Sequence, residues 1–454
     1  MLSAVGTGSI LFTPRVASQY EYQLLWLLLI VVYFMWVMIR EMARFTIVTG
    51  KTMLEGMYTL EGPRGWAVWF VFVPQLLAAS VGIAGLSAVV GSAVQSFLPG
   101  NTSFYGVLLI LLSSVFVAAG QYMLLERYSR IMALLLMAMV VISALLVGAD
   151  ITAMGQGLLF NWPSEPQLYV ILPWVGTILA GSMGIVWFGY WTATRGFGGG
   201  LVTRERDDET PVETRYEPAE LGGGGQSENT RLHRIREWIG VMSGTATLGV
   251  LGGLVVIASF MVLGAELLAP EGTLPEGTDV AVDLTILFSN LWGSAGEYLL
   301  LAAIIIALGG SVLANQDGWG RSFADMTLIL TRARRDVGKS NFAIGLLKWL
   351  EKHSGLPMFE RRYLKRLFVV SITGIVPIGI ILCFEDPVAV MSASGIIAAL
   401  HTPFIALTAL YINRTRLPAD VRPGWFVTLC MGAAGLFYLG FAVAYLWGLA
   451  VGGG

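Results

Sequence analysis

Apolar residues run through this chain in long continuous blocks. Stretches at about 2–20, 22–39, 66–92, 103–121, 130–149, 168–192, 239–265, 297–315, 367–384, 388–411 and 424–449 recur along its whole length. A helix needs about 20 apolar residues to cross a bilayer, so each block is a candidate span. The blocks do not alternate in the way that membrane barrel strands do. Only helices and closed barrels satisfy the backbone in hydrocarbon, so the expectation is an all-α polytopic membrane protein of about eleven transmembrane helices.

Two blocks are interrupted. The first contains Gly6-Thr7-Gly8-Ser9 and the sixth contains Gly181-Ser182-Met183-Gly184. Small residues allow close helix packing, and that reading fits Gly252-Gly253 and Gly309-Gly310. Glycine also lets a chain leave helical dihedrals and expose N–H and C=O groups. Interruptions in the first and sixth spans together suggest a five-plus-five inverted repeat of the leucine-transporter type, with helices 1 and 6 broken at a midplane substrate site. Only Met1 to Val5 stand before Gly6, fewer residues than the two to three turns a half-helix ordinarily needs; either that half-helix is short or the chain starts further upstream.

Charge adds a direction. Of 28 basic residues, all but Arg15 fall on one side of the alternating loops: Arg40, Arg44, Lys51 and Arg64; Arg127 and Arg130; Arg195 through Arg236; Arg321 through Arg366; and Arg414, Arg416 and Arg422. The positive-inside rule makes that side cytoplasmic, with the N-terminus inside, the C-terminus outside and the plasma (inner) membrane as the expected location. The opposite loops carry Glu266, Glu271, Glu276, Asp279 and Asp283. Such a solvated acidic stretch could also gather cations.

Residues 1–197 are expected to hold helices 1–6, residues 198–236 to form a flexible cytoplasmic linker, and residues 237–449 to hold helices 7–11, all within one transporter domain. A second cytoplasmic insert is expected at 317–366. There, NFAIGLLKWLEK has the periodicity of a helix lying on the inner membrane surface.

Hydrophobic residues make up 56% of the chain and charged residues 13%. Soluble domains carry roughly 25% charged residues, so the composition agrees with a lipid-solvated protein. A net charge of -2 argues against a nucleic-acid partner. Cys383 and Cys430 lie in apolar blocks, without metal-type spacing. No Ser/His/Asp, metal-hydrolase or phosphate-loop constellation is present, so no enzyme activity is expected.

The segment YEYQLLWLLLIVVYFMWVMIREMARFTIVTGKTMLEGM, Tyr20 to Met57, resembles the second span and following loop of the Nramp family of divalent-metal transporters, above all in YQLLW and TGKTMLE. SASGIIAALHTPFIALTALYINRTRLP, Ser392 to Pro418, is similar to that family's tenth span. The resemblance extends over nearly the whole chain and implies transport of a divalent cation. It also places the family's first metal motif, Asp-Pro-Gly-Asn, on Gly6-Thr7-Gly8-Ser9, so that only Gly8 is retained. The sixth-span pattern, Ala-x-x-Met-Pro-His, falls on Gly181 through Val186, leaving Gly184 at the thioether position, with Met183 beside it, and Val186 at the histidine position.

Without a carboxylate and a thioether, the groups suited to a partly dehydrated transition metal are missing. Thr7, Ser9 and Ser182 hydroxyls with backbone carbonyls are then the candidate metal ligands. They suit a cation that keeps its waters, as Mg²⁺ does, better than bare Mn²⁺. The family's proton-coupling groups are replaced as well, by Gln75 in span three and Val186 in span six, with no charge inside 367–384, which implies transport without the usual proton coupling.

Other polar residues have two readings each. Gln75 and His401 could form a polar shell around the site or hydrogen-bond helix to helix. Asp317 is positioned to pair with Arg321 at i,i+4. Trp187, Tyr190 and Trp191 could anchor a helix end or form a cation–π wall. Two alternatives to metal transport remain open at this level. One is carriage of an amino acid or organic cation by the same fold. The other is a transport-inactive regulatory membrane protein with a cytoplasmic partner at 198–236. No cofactor is expected beyond the transported ion, and the expected partners are the bilayer and a small cation.

Overall fold

The computed structural model describes residues 6–120, 123–194, 228–335 and 342–451. Every regular element among them is helical. A π-helical turn over Gly8–Phe12 leads into α1 (Thr13–Tyr20), and a turn with Glu21 at φ +47° connects it to α2 (Leu25–Thr49). The conspicuous TGKTMLE stretch has a local structural role, because Thr52 caps α3 (Met53–Tyr58). Its Oγ1 accepts from the Glu55 N–H at 3.3 Å, and the Glu55 carboxylate accepts from the Thr52 N–H at 2.8 Å. This reciprocal pair is a capping box.

Helices α4 (Trp66–Gln95) and α5 (Thr102–Ala119) follow. The Asn101 side chain starts the latter by accepting from a first-turn N–H, the usual work of an N-cap asparagine. Next come α6 (Met123–Val147) and α7 (Ile151–Gly157), which bend by 112° at a break capped by Asp150. The sixth span is built from α8 (Leu168–Thr177) and α9 (Ser182–Thr194). Then follow α10 (Glu228–Leu263), α11 (Val280–Ala303), α12 (Gly309–Arg335), α13 (Phe342–Ser354), α14 (Arg361–Val370), α15 (Val376–Cys383), α16 (Pro387–Arg416) and α17 (Trp425–Val451).

Among the described residues, nine helices are long and apolar enough to cross a membrane, and the bent pair makes ten. They coincide with ten of the eleven expected spans. The first expected span differs: its described part has five π-helical and eight α-helical residues. That is too few to cross alone.

Of the expected linker, residues 198–227 lie outside the described residues, whereas 228–236 already belong to α10. The segment 317–366 is helical over most of its described length. α12 carries the eighth span through to Arg335, α13 packs Leu347 against Ala324 and Leu364, and α14 is the opening of the ninth span.

The chain divides into two compact units. One holds Met1–Leu29, Phe72–Leu179 and Gly253–Ala398; the other holds Ile30–Val71, Ala180–Gly252 and Ala399–Gly454. In the first, Gln316 reaches α5 and the π-turn region after α14, its Nε2 donating to Ser114 Oγ at 3.0 Å and to the Thr373 carbonyl at 2.7 Å. In the second, the buried carboxylate of Glu41 accepts from Arg44 Nε at 2.9 Å and from Asn413 Nδ2 at 3.1 Å. A buried carboxylate in a helix bundle needs such partners, and these tie α2 to α16.

Candidate functional site

The break in the sixth span begins earlier than the glycine pattern suggests. α8 stops at Thr177, whose hydroxyl donates back to the Pro173 carbonyl at 2.7 Å. Ile178 is extended and Leu179 turns the chain at φ +61°. That conformation is rare for a branched, non-glycine residue. Gly181 lies within this break, but Ser182, Met183 and Gly184 form the first turn of α9. Ser182 and Met183 are buried.

The first interruption is likewise tighter than an unwound strand. Gly6 sits at a bend, its carbonyl accepting from the Ser9 and Ile10 N–H groups at 3.1 and 3.0 Å. Gly8 and Ser9 then enter the π-turn. Thr7 and Ser9 are buried, and Ser9 has further partners among its neighbours.

Gly8 is required there by packing. A Cβ at this position would come within 2.5 Å of the Thr177 carbonyl oxygen and 2.8 Å of its carbon. Only glycine lets the first segment seat against the end of α8, where the sixth-span break starts.

A polar clamp holds this contact. Thr13 Oγ1 donates to the Gly8 carbonyl at 2.6 Å and accepts from Trp174 Nε1 at 3.0 Å; both Thr13 and Trp174 are fully buried. The π-turn makes this possible, because residues five apart share a face in its wider coil. These two residues are not evident from the sequence. Thr13 stands beside the more obvious Pro14, and its partner Trp174 lies 161 residues away.

The remaining candidates belong to both units. Gln75 is buried in α4, in the first unit, and is not without a partner. His401 is buried in α16, in the second unit, hydrogen-bonded to the Phe70 backbone, its ring 6.4 Å from that of Phe70 and 6.1 Å from that of Phe404. The bond to Phe70 links α16 to α4. Trp191 is exposed at the end of α9, as a bilayer-interface anchor would be.

The expected Asp317–Arg321 pair is present at 2.9 Å, and Asp317 also holds Lys365 of α14. Lys365 escapes a charge reading of 367–384, because the ninth span starts at Arg361. Among the described residues, no three His, Cys, Asp or Glu side chains cluster as a metal cage. Thr7, Ser9 and Ser182 place buried hydroxyl-bearing side chains at the two interruptions.

A many-spanned helical membrane bundle whose sixth helix is broken in this way has the leucine-transporter-like fold of secondary transporters. Residues 1–316 match the family described as natural resistance-associated macrophage protein-like, and the chain belongs to the Nramp family. It is a secondary transporter by family and not an enzyme.

Solved structures agree in fold. A mutant of the Eremococcus coleocola manganese transporter superposes with TM-score 0.61 at 12% identity, covering 98% of this chain and 86% of that one. The same transporter in complex with an aromatic bis-isothiourea substituted compound gives 0.60, with the same identity and coverage. MhsT in complex with L-phenylalanine gives 0.50 at 15% identity, covering 97% of this chain and 96% of that one. No curated protein matches the chain.

Proposed function

We propose that this protein carries a divalent cation by alternating access, with hydrated Mg²⁺ as the leading substrate and Mn²⁺ as the second. The observation that carries the reading is the chemistry of the two interruptions. Gly6, Ser9 and Gly184 stand where the Nramp resemblance puts a carboxylate, an amide and a thioether, while Thr7, Ser9 and Ser182 contribute buried hydroxyls. Gly6, Thr7, Gly8 and Ser9, with Gly181, Ser182, Met183 and Gly184, form the substrate-binding set in this proposal.

A site of hydroxyls and carbonyls cannot offset stripping a dication of its water. It can accept a cation that retains several waters, which is the usual behaviour of Mg²⁺ in proteins. Glycine at positions 6 and 184 favours such a shell over direct side-chain ligation. Transport is uncoupled from protons in this reading, because Gln75 and Val186 do not exchange them. The basic-residue pattern supports a cytoplasmic N-terminus and an external C-terminus in the plasma (inner) membrane.

Uptake of Mg²⁺, Mn²⁺, a panel of amino acids and an organic cation into proteoliposomes, with an interior pH reporter, tests the proposal. Mg²⁺ uptake above Mn²⁺ without internal acidification is the expected result. Uptake of an amino acid in place of any divalent ion would move the assignment to the organic-substrate branch of the same fold. Acidification driven by the cation would overturn the uncoupled mechanism.

A further inference from the structure

Away from the interruptions, α5 and α14 line a half-open cavity of about 180 Å³ at the membrane face where the basic residues gather. The helix α5 ends at Ala119, where Gly120, at φ +74°, caps it by donating its N–H to the Phe116 and Val117 carbonyls. A left-handed glycine in this position is a common helix stop, and here it lines the cavity together with the last turn of α5. Arg362, Lys365, Arg366 and Val369 line the other wall. Their spacing of three, four and seven residues puts all four on one face of α14.

The cations are unequally committed. Lys365 is held by Asp317. Arg366 gives its Nε to the Ala118 carbonyl at 3.0 Å. That bond fixes the side chain beside the cavity while leaving its terminal nitrogens as donors. Arg362 lies over the Tyr363 ring at 4.6 Å, donates one terminal nitrogen to the Tyr363 hydroxyl at 2.8 Å and reaches Glu360 only at 4.0 Å, with a side chain 64% exposed. Two guanidinium groups therefore stand at the opening in a geometry that suits phosphate oxygens.

The surroundings specify the source of that phosphate. One turn beyond Arg366 on the same face of α14, Val370 is exposed; on α5, so are Val115 and Phe116, the former at 66%. A soluble anion gains nothing from such apolar walls, whereas a phospholipid places its headgroup on the arginines and its chains along α5 and α14. We propose that this cavity binds the phosphate of an anionic phospholipid in the leaflet on the basic side of the membrane. Occupancy would bridge the fourth and ninth spans.

The decisive experiment uses the full-length purified protein, delipidated in neutral detergent and titrated with dioleoyl phosphatidylglycerol or dioleoyl phosphatidylcholine, with bound lipid counted by native mass spectrometry. Phosphatidylglycerol is expected to be retained preferentially, and Arg362→Gln with Arg366→Gln to lower that retention ~10-fold or more. The Lys pair, Arg362→Lys with Arg366→Lys, should keep most of it. Arg234→Gln, at an exposed arginine elsewhere, should change nothing. Arg362→Gln alone, at a side chain 64% exposed, should give a ~5-fold fall and serves if the double variant misfolds. Unchanged retention in the arginine variants overturns the proposal. So does displacement of phosphatidylglycerol by millimolar inorganic phosphate, which would mark a site for free anions.

Discussion

At the scale of single residues, Gly8 and Thr13 explain why the start of the chain has its composition. Gly8 admits the Thr177 carbonyl into the space a side chain would fill, and Thr13 satisfies both the Gly8 carbonyl and the Trp174 indole. Gly8→Ala must push backbone against backbone, so it is expected to cost about 1–3 kcal/mol and to abolish uptake, read by thermal unfolding and proteoliposome flux. Thr13→Val keeps the shape but leaves the buried Trp174 indole N–H without its acceptor and takes one of two donors from the Gly8 carbonyl, which keeps the backbone N–H of residue 13, with an expected loss of about 1–3 kcal/mol. Thr13→Ser should recover most of that loss in the same unfolding measurement. Glycine and threonine near the start are readable as an interruption. What they touch is not, because Thr177 and Trp174 both belong to the sixth span, far along the chain.

At the scale of elements, polar stretches mislead where helices continue past the hydrocarbon. The residues from Asp317 onward look like an insert, yet α12 runs to Arg335 and α14 already begins at Arg361. The charges between them are used for packing: Asp317 meets Arg321 on its own helix and Lys365 on the next, and Arg361 meets Asp325 at 2.8 Å. Asp317→Asn should destabilise by about 3–5 kcal/mol, since it leaves Lys365 without its counter-charge. Asp317→Asn with Lys365→Met should cost less than the two singles together, and the coupling is measured by a double-mutant cycle in unfolding experiments. The sixth-span break follows a similar lesson. Glycines mark its neighbourhood, but Leu179 makes the turn, and a leucine at positive φ leaves no trace in composition.

At the scale of the whole molecule, family and substrate chemistry separate. The chain keeps the fold of a manganese transporter from Eremococcus coleocola at 12% identity, while the side chains at its two interruptions carry no carboxylate. Restoring one carboxylate tests the substrate proposal. Gly6→Asp should raise Mn²⁺ uptake relative to Mg²⁺ by ~10-fold, read as competing uptake in proteoliposomes, because a carboxylate offsets partial dehydration of the transition metal. The chain alone determined the membrane class, ten of its spans and the neighbourhood of the sixth-span break. Those follow from apolar length and from glycine, which are local properties read along the sequence. Tertiary structure alone decided that Gly8 seats on Thr177, that Thr13 and Trp174 clamp it, and that Lys365 serves Asp317. Each of these depends on which distant residue arrives at a given point in space, and packing of the completed bundle sets that.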